Sequence, residues 1–190
     1  VVQGSLLASD SFPASNFLIE VGDSSCSNQQ HSCNEFAMFE GIFFDANNNT
    51  AAGGLHISAT MGATVRSCFF KGYAQAGVQV DGGHEVFVSE SWFGEWYYGD
   101  ERKANYTAST GDGIVLNGND HVVDDVIVFS ARVGVVLNGA ANLVKSTHTW
   151  NLATHLGGIG MRVVAGSGSQ NRIVSSYFDF NDLVVEDPHL

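Results

Sequence analysis

Two aspartates stand where a carboxylate could act on a bound substrate. Asp81 ends the segment Gly77-Val78-Gln79-Val80-Asp81, and Asp112 precedes Gly113-Ile114-Val115-Leu116-Asn117. Hydrolysis of a glycosidic bond needs two carboxyl groups, about 6.5–9.5 Å apart for inversion and about 5–5.5 Å for retention. Each aspartate also has a plainer reading, Asp81 as one rung of a polar turn ladder and Asp112 as a turn or first-strand residue. A second acidic set is Glu85, Glu90, Asp124 and Asp125, of which Glu90 and Asp125 fall in one column when the repeats below are aligned. It reads as an acidic site with one raised pKa, as a weak Ca²⁺ site of oxygen ligands, or as a solvated acidic face. Residues 94–110, GEWYYGDERKANYTAST, combine aromatic and basic side chains. There Trp96, Tyr97 and Tyr98 could stack on a flat ligand face, and Arg102 and Lys103 could meet ligand carboxylates. The alternative is a solvated loop with its aromatics packed on the body of the protein. His56, His84, His121, His148 and His155 have no paired ligand spacing, so no metal site is expected from them.

These residues acquire relative positions only through a repeat. A short motif with two alternating apolar residues begins at Gly54, Gly77, Gly113, Gly134, Gly158 and Asp182, at spacings of 23, 36, 21, 24 and 24 residues. An insertion of about a dozen residues within 94–110 explains the one long spacing. A second motif begins at Val65, Val88, Val123, Val144 and Val174. Each unit of 21–24 residues therefore holds two or more short strands separated by turns. Such strands cannot bury a face alone, but stacked coils can, with like residues about 4.8 Å apart. The expected inward ladders are Leu55, Val78, Ile114, Val135, Ile159 and Leu183, and Ile57, Val80, Leu116, Leu137, Met161 and Val185. The fold class is all-β, a right-handed parallel β-helix of about six to seven coils. It forms a single domain over 1–190, with an irregular early segment 1–40, repeats over 41–190 and the inserted loop. In this frame Asp81 shares a column with Ser58, Asn117, Asn138, Arg162 and Glu186, about 16 Å along the strand direction from that of Asp112, and neither aspartate finds a clear acidic partner on this face.

The composition fits stacking. The chain has 190 residues, 22 Gly but only 2 Pro, and 15% charged residues. Tight turns want glycine, proline would break ladder hydrogen bonds, and charges stacked on themselves repel. Eight Lys+Arg against 20 Asp+Glu give a net charge of −12, which argues against nucleic acid as partner. No apolar run of about 20 residues suggests a membrane span. Val1 opens without the charged and apolar regions of a signal peptide. Cys26 and Cys33, in a polar stretch, read as a local disulfide, with two free thiols as the alternative. Cys68, in an apolar strand, reads as a small buried hydrophobe. The sequons at Asn48 and Asn105 are glycosylation candidates. Cysteine pair and sequons together favour a secreted, extracellular or cell-wall protein.

The segments GHEVFVSESWFG, GIVLNGNDHVVDDVIVFSARVGVVLNGAANLV, GGIGMRVV and SQNRIVSSYFDFNDLVVEDP resemble the pectate-lyase-like β-helix superfamily. Within it they are most like the quartet-type plant polygalacturonases. The resemblance covers most of the chain and implies secretion, a polysaccharide partner and inverting hydrolysis of α-1,4-linked galacturonan. Polygalacturonases carry Asn-Thr-Asp, Asp-Asp, Gly-His-Gly and Arg-Ile-Lys motifs on one sheet. The first falls on Thr110-Gly111-Asp112, which makes Asp112 the matching acid. The second falls on Ala131-Arg132-Val133-Gly134 without its carboxylates. The third falls near Leu156-Gly157-Gly158, with His155 close by, and the fourth, near Phe180-Asn181-Asp182-Leu183, is absent. The expected catalytic residues are Asp112 and Asp81. Trp96, Tyr97, Arg102, Lys103, Arg132, His155 and Arg162 are the expected contacts for an acidic glycan. A non-catalytic glycan-binding or structural module is the other reading, and a polysaccharide lyase or transferase is a third. Relatives with this pattern are longer, so further coils of the protein or other chains are the expected neighbours of its ends.

Overall fold

A computed structural model describes residues 3–22, 35–94, 109–150, 158–167 and 170–186. Two strands open the chain, β1 (Gly4–Leu7) and β2 (Phe17–Val21). Six three-strand coils follow. They are β3 (Met38–Glu40), β4 (Ile42–Asp45) and β5 (Gly53–Ser58); β6 (Thr64–Arg66), β7 (Phe69–Lys71) and β8 (Ala76–His84); and β9 (Phe87–Ser89), β10 (Trp92–Phe93) and β11 (Asp112–Asn119). The series continues with β12 (Val122–Asp124), β13 (Ile127–Val128) and β14 (Val133–Leu137); β15 (Leu143–Lys145), β16 (His148–Thr149) and β17 (Ile159–Val163); and β18 (Arg172–Val174), β19 (Tyr177–Phe178) and β20 (Asp182–Val185).

Every third strand joins the same sheet. Sheet A runs β1-β4-β7-β10-β13-β16-β19, sheet B β2-β5-β8-β11-β14-β17-β20, and sheet C β3-β6-β9-β12-β15-β18. Between them, every strand pairing is parallel and joins neighbouring coils. This is the expected parallel β-helix, and right-handed crossovers are the rule for parallel strands. The stacking begins with β1 and β2, ahead of residue 41.

Alternation within each strand fills the core. On sheet B the first inward ladder is Ile19, Leu55, Val78, Ile114, Val135, Met161 and Leu183. The second is Val21, Ile57, Val80, Leu116, Leu137, Val163 and Val185. Two registers differ from the sequence expectation. Ile159 pairs with Val133, so Met161 takes the place expected for Ile159, and Val163 that expected for Met161. In sheet C the inward ladder Phe39, Val65, Val88, Val123, Val144 continues to Ile173 rather than Val174. A one-residue slip changes the face, and Val174 is accordingly exposed.

Sheet A supplies the bulk of the core. Phe44, Phe70 and Phe93 stack at 4.6 and 4.7 Å between centroids, and Val128, Thr149 and Phe178 continue the column. This column explains the repeated glycine of sheet B. A Cβ at Gly54 would fall 2.5 Å from Phe70 Cδ1, one at Gly77 2.6 Å from Phe93 Cδ1, and one at Gly160 2.6 Å from Phe178 Cδ1. These glycines make room for the aromatic stack instead of supplying positive φ. Positive φ is found at the corner from sheet C to sheet A, at Ser67, Glu90, Asp125, Ser146 and Ser175 as well as Gly41. A single left-handed residue turns the chain there.

Candidate functional site

The outward residues of sheet B form a polar patch at its β2–β11 end. Where Val78 and Val80 point into the core, Gln79 and Asp81 point out, and the pleat carries the same rule to neighbouring rungs. Glu20, His56, Gln79, Val115, Val136, Arg162 and Val184 share one outward column. Ser58, Asp81 and Asn117 share the next.

Asp81 is the hub. Its Oδ2 lies 2.7 Å from His56 Nε2 and accepts from Gln79 Nε2 at 2.8 Å. Its Oδ1 accepts from Asn117 Nδ2 at 2.6 Å. Ser58 Oγ lies 3.1 Å from His56 Nε2, and Asn138 Nδ2 donates to Asn117 Oδ1 at 3.0 Å. Burial alone would raise the Asp81 pKa, but the bonds from His56, Asn117 and Gln79 outweigh it and hold the carboxyl at about 2. The hydrogen bond to Asp81 in turn raises the His56 pKa against the effect of burial, and Glu20 adds to the rise. Asp81 is therefore an anion throughout the range in which His56 titrates, and the two form an ion pair while the imidazole is protonated.

Asp112 lies on the adjacent rung, at the start of β11 opposite Ala76. Arg132 grips it bidentately, with Nε on Oδ1 at 2.8 Å and Nη2 on Oδ2 at 2.7 Å. The carboxylate is buried while more than half of the Arg132 side chain is exposed. The hydrogen bond to Asp112 pushes the guanidinium pKa up, and the pair presents a cationic edge to solvent. Asp81 and Asp112 do not come together, because five strand positions, about 16 Å, separate their columns. Arg162 leaves the column expected for it. The two-residue register change places it opposite Val136, away from Asp81, and its Nε lies 3.3 Å from Glu186.

Trp96, Tyr97, Tyr98, Arg102, Lys103, Asn105 and His155 lie outside the described residues, as do Cys26 and Cys33. Asn48 is exposed in the turn after β4. Cys68 is buried and free. Glu90 and Asp125 do occupy one column, at the corner between sheets C and A. They line an open cavity of about 430 Å³ together with Ser67, Ser91, Phe69 and Trp92. This cavity is on a different corner from the Asp81 network, and its main polar groups are like-charged carboxylates. Among the described residues no three His, Cys, Asp or Glu side chains converge as a metal site. No helix among them is long and apolar enough to cross a membrane.

His56, Gln79 and Ser58 were not among the expected site residues. His56 is one of several scattered histidines in the linear sequence, 25 positions from Asp81. Aligning Leu55-His56-Ile57-Ser58 with Val78-Gln79-Val80-Asp81 brings it next to that aspartate.

The chain is 34% identical over 188 residues to Polygalacturonase QRT3 of Arabidopsis thaliana, a match that covers 97% of the chain. The chain is a relative of the quartet-type polygalacturonases. It spans 38% of the length of that plant protein. No protein-family model matches the chain, and no solved structure matches it. The kinship and the three parallel sheets together establish a parallel β-helix of the quartet-type polygalacturonase family.

Proposed function

We propose that this β-helix is part of a secreted, polygalacturonase-like glycoside hydrolase. Pectic or related polysaccharide would lie along the outer face of sheet B. The observation that carries the reading is the row Glu20, His56, Gln79, Asp81 and Asn117, a polar patch facing solvent on a chain related to a polygalacturonase. Hydrogen-bonding side chains on a rigid sheet suit a polyhydroxylated chain, and the edge of Arg132 suits a uronate. With its carboxyl at about 2, Asp81 cannot serve as general acid between pH 4 and 7. Its charge can orient a partner or stabilise positive charge that develops on the sugar. The exposed sequon at Asn48 is consistent with passage through a secretory pathway.

One observation favours a second reading, a glycan-binding module without catalysis. Asp112, the acid that matches the polygalacturonase motif, is fully engaged by Arg132, and the motif's other carboxylates are missing from the sequence.

Incubation with polygalacturonate, followed by a reducing-end assay, separates the two. The hydrolase reading expects reducing ends to accumulate with time, and Asp81→Asn to lower the rate by about 100-fold or more. Saturable binding of the polymer with no release of ends establishes the second reading instead. Products that carry a new double bond, formed only with Ca²⁺, would indicate a lyase and contradict both.

A further inference from the structure

The Asp81 carboxylate has three hydrogen-bonding neighbours, Asn117 on Oδ1 and both His56 and Gln79 on Oδ2. A carboxylate so occupied is poorly placed to exchange a proton with a ligand. His56 is the group beside it that can. Its Nε2 takes both the Asp81 and the Ser58 contacts. Its Nδ1 has no hydrogen bond among the described residues and is not among the buried unpartnered atoms, and 24% of the His56 side chain is exposed. The Phe17 ring, 5.3 Å away, packs on the imidazole and limits its rotation. The charged and polar groups around the ring are Glu20 on β2, Ser58 on β5, and Gln79 and Asp81 on β8.

We propose that His56 Nδ1 is the proton donor that this face offers to a bound glycan, with Asp81 as its positioning residue. The proposal rests on the hydrolase reading and deepens it. Asp81 holds Nε2–H, so protonation of the ring places the second proton on Nδ1, facing outward. In hydrolysis that proton passes to the glycosidic oxygen as its bond to the anomeric carbon breaks. Water adds to the anomeric carbon and sheds its own proton to solvent, from which His56 is recharged. Water is the sole co-reactant, and the protons balance. A pair that served only to tie β5 to β8 would gain little, since half-exposed ion pairs contribute about 0–1 kcal/mol.

Two measurements test this. The first follows the assigned His56 ring signals of the wild-type protein by NMR across pH, with and without oligogalacturonide. The second compares kcat and KM on polygalacturonate for the wild type, His56→Gln and Asp81→Asn. The expected result is a ligand-induced shift of the His56 pKa by about half a unit or more. His56→Gln should lose about 100-fold in kcat with KM within about threefold. Asp81→Asn should lower the pKa of the ring and move the alkaline limb of the rate profile with it. Full activity in His56→Gln, or ring signals blind to saturating ligand, overturns the proposal. If the wild type releases no reducing ends, the hydrolase reading fails by itself. The titration then still decides whether His56 contacts the glycan, and it needs no variant that folds.

Discussion

Phe70→Ala is expected to destabilise the protein by about 3–5 kcal/mol, the usual cost of removing a fully buried phenylalanine. Phe70 is fully buried and lies flat between Phe44 and Phe93, at 4.6 and 4.7 Å. Its loss removes two stacked contacts as well as the buried area. The surroundings have little scope to collapse into the gap, because the column is fixed to rungs set by the ladder of sheet A. Gly54, which leaves space for this ring, would face an empty volume. In a solenoid, coupling between coils runs through nearest neighbours, so the substitution also weakens the join between the β4 and β10 coils. Urea unfolding followed by tryptophan fluorescence measures the effect. A loss below about 1 kcal/mol would show that the aromatic column is not what holds the coils.

The second large effect is a loss of stability in mild acid, traced to His121. This side chain is completely buried at the turn before β12, and its Nδ1 accepts the Val86 amide at 3.2 Å. Burial, with a smaller contribution from His84, lowers its pKa to about 4, against a countering effect of Asp120. The unfolded chain binds the proton near pH 6.5, whereas the folded one does not until about pH 4. Stability is therefore full above pH 6.5 and declines as pH falls from 6.5 to 4, by about 3 kcal/mol in total. His56 works in the opposite sense at the upper end, because its raised pKa favours the folded state once it is protonated.

The ladder itself suggests the control. Below His121 the same position holds Asn142 and Asn171. Each accepts the amide of the rung before it, from His121 and Asn142, and donates to a turn carbonyl, at Gly118 and Gly139. An asparagine at 121 can repeat the pattern, so His121→Asn should keep the fold and flatten the acid limb. Unfolding curves at pH 7 and pH 4.5 check it, and an equal loss in both proteins would absolve His121.

The architecture was legible in the sequence because stacking forces like residues into columns, and the columns at Leu55, Val78, Ile114 and Val135 survive as written. Register failed where the local signal was ambiguous. Gly158-Ile159-Gly160-Met161 offers two glycine frames, and only contact with Thr149 and Phe178 selects Gly160. Ile173-Val174 offers two branched residues side by side, and sheet C selects the first. The site was less legible. Asp81 stood out by its place in the repeat, but its charge state depends on His56, Gln79 and Asn117, which come together only across rungs. Asp112 matched a family motif, whereas its bidentate partner Arg132 sits 20 positions on and one rung away.

The most direct test of the central claim, that sheet B carries the glycan on its outer face, is to titrate isotope-labelled protein with oligogalacturonide and map the perturbed residues. Saturable shifts centred on His56, Ser58, Gln79, Asp81 and Asn117 are expected. Shifts confined to the corner cavity around Ser67, Glu90, Trp92 and Asp125, with the sheet B face silent, would contradict it.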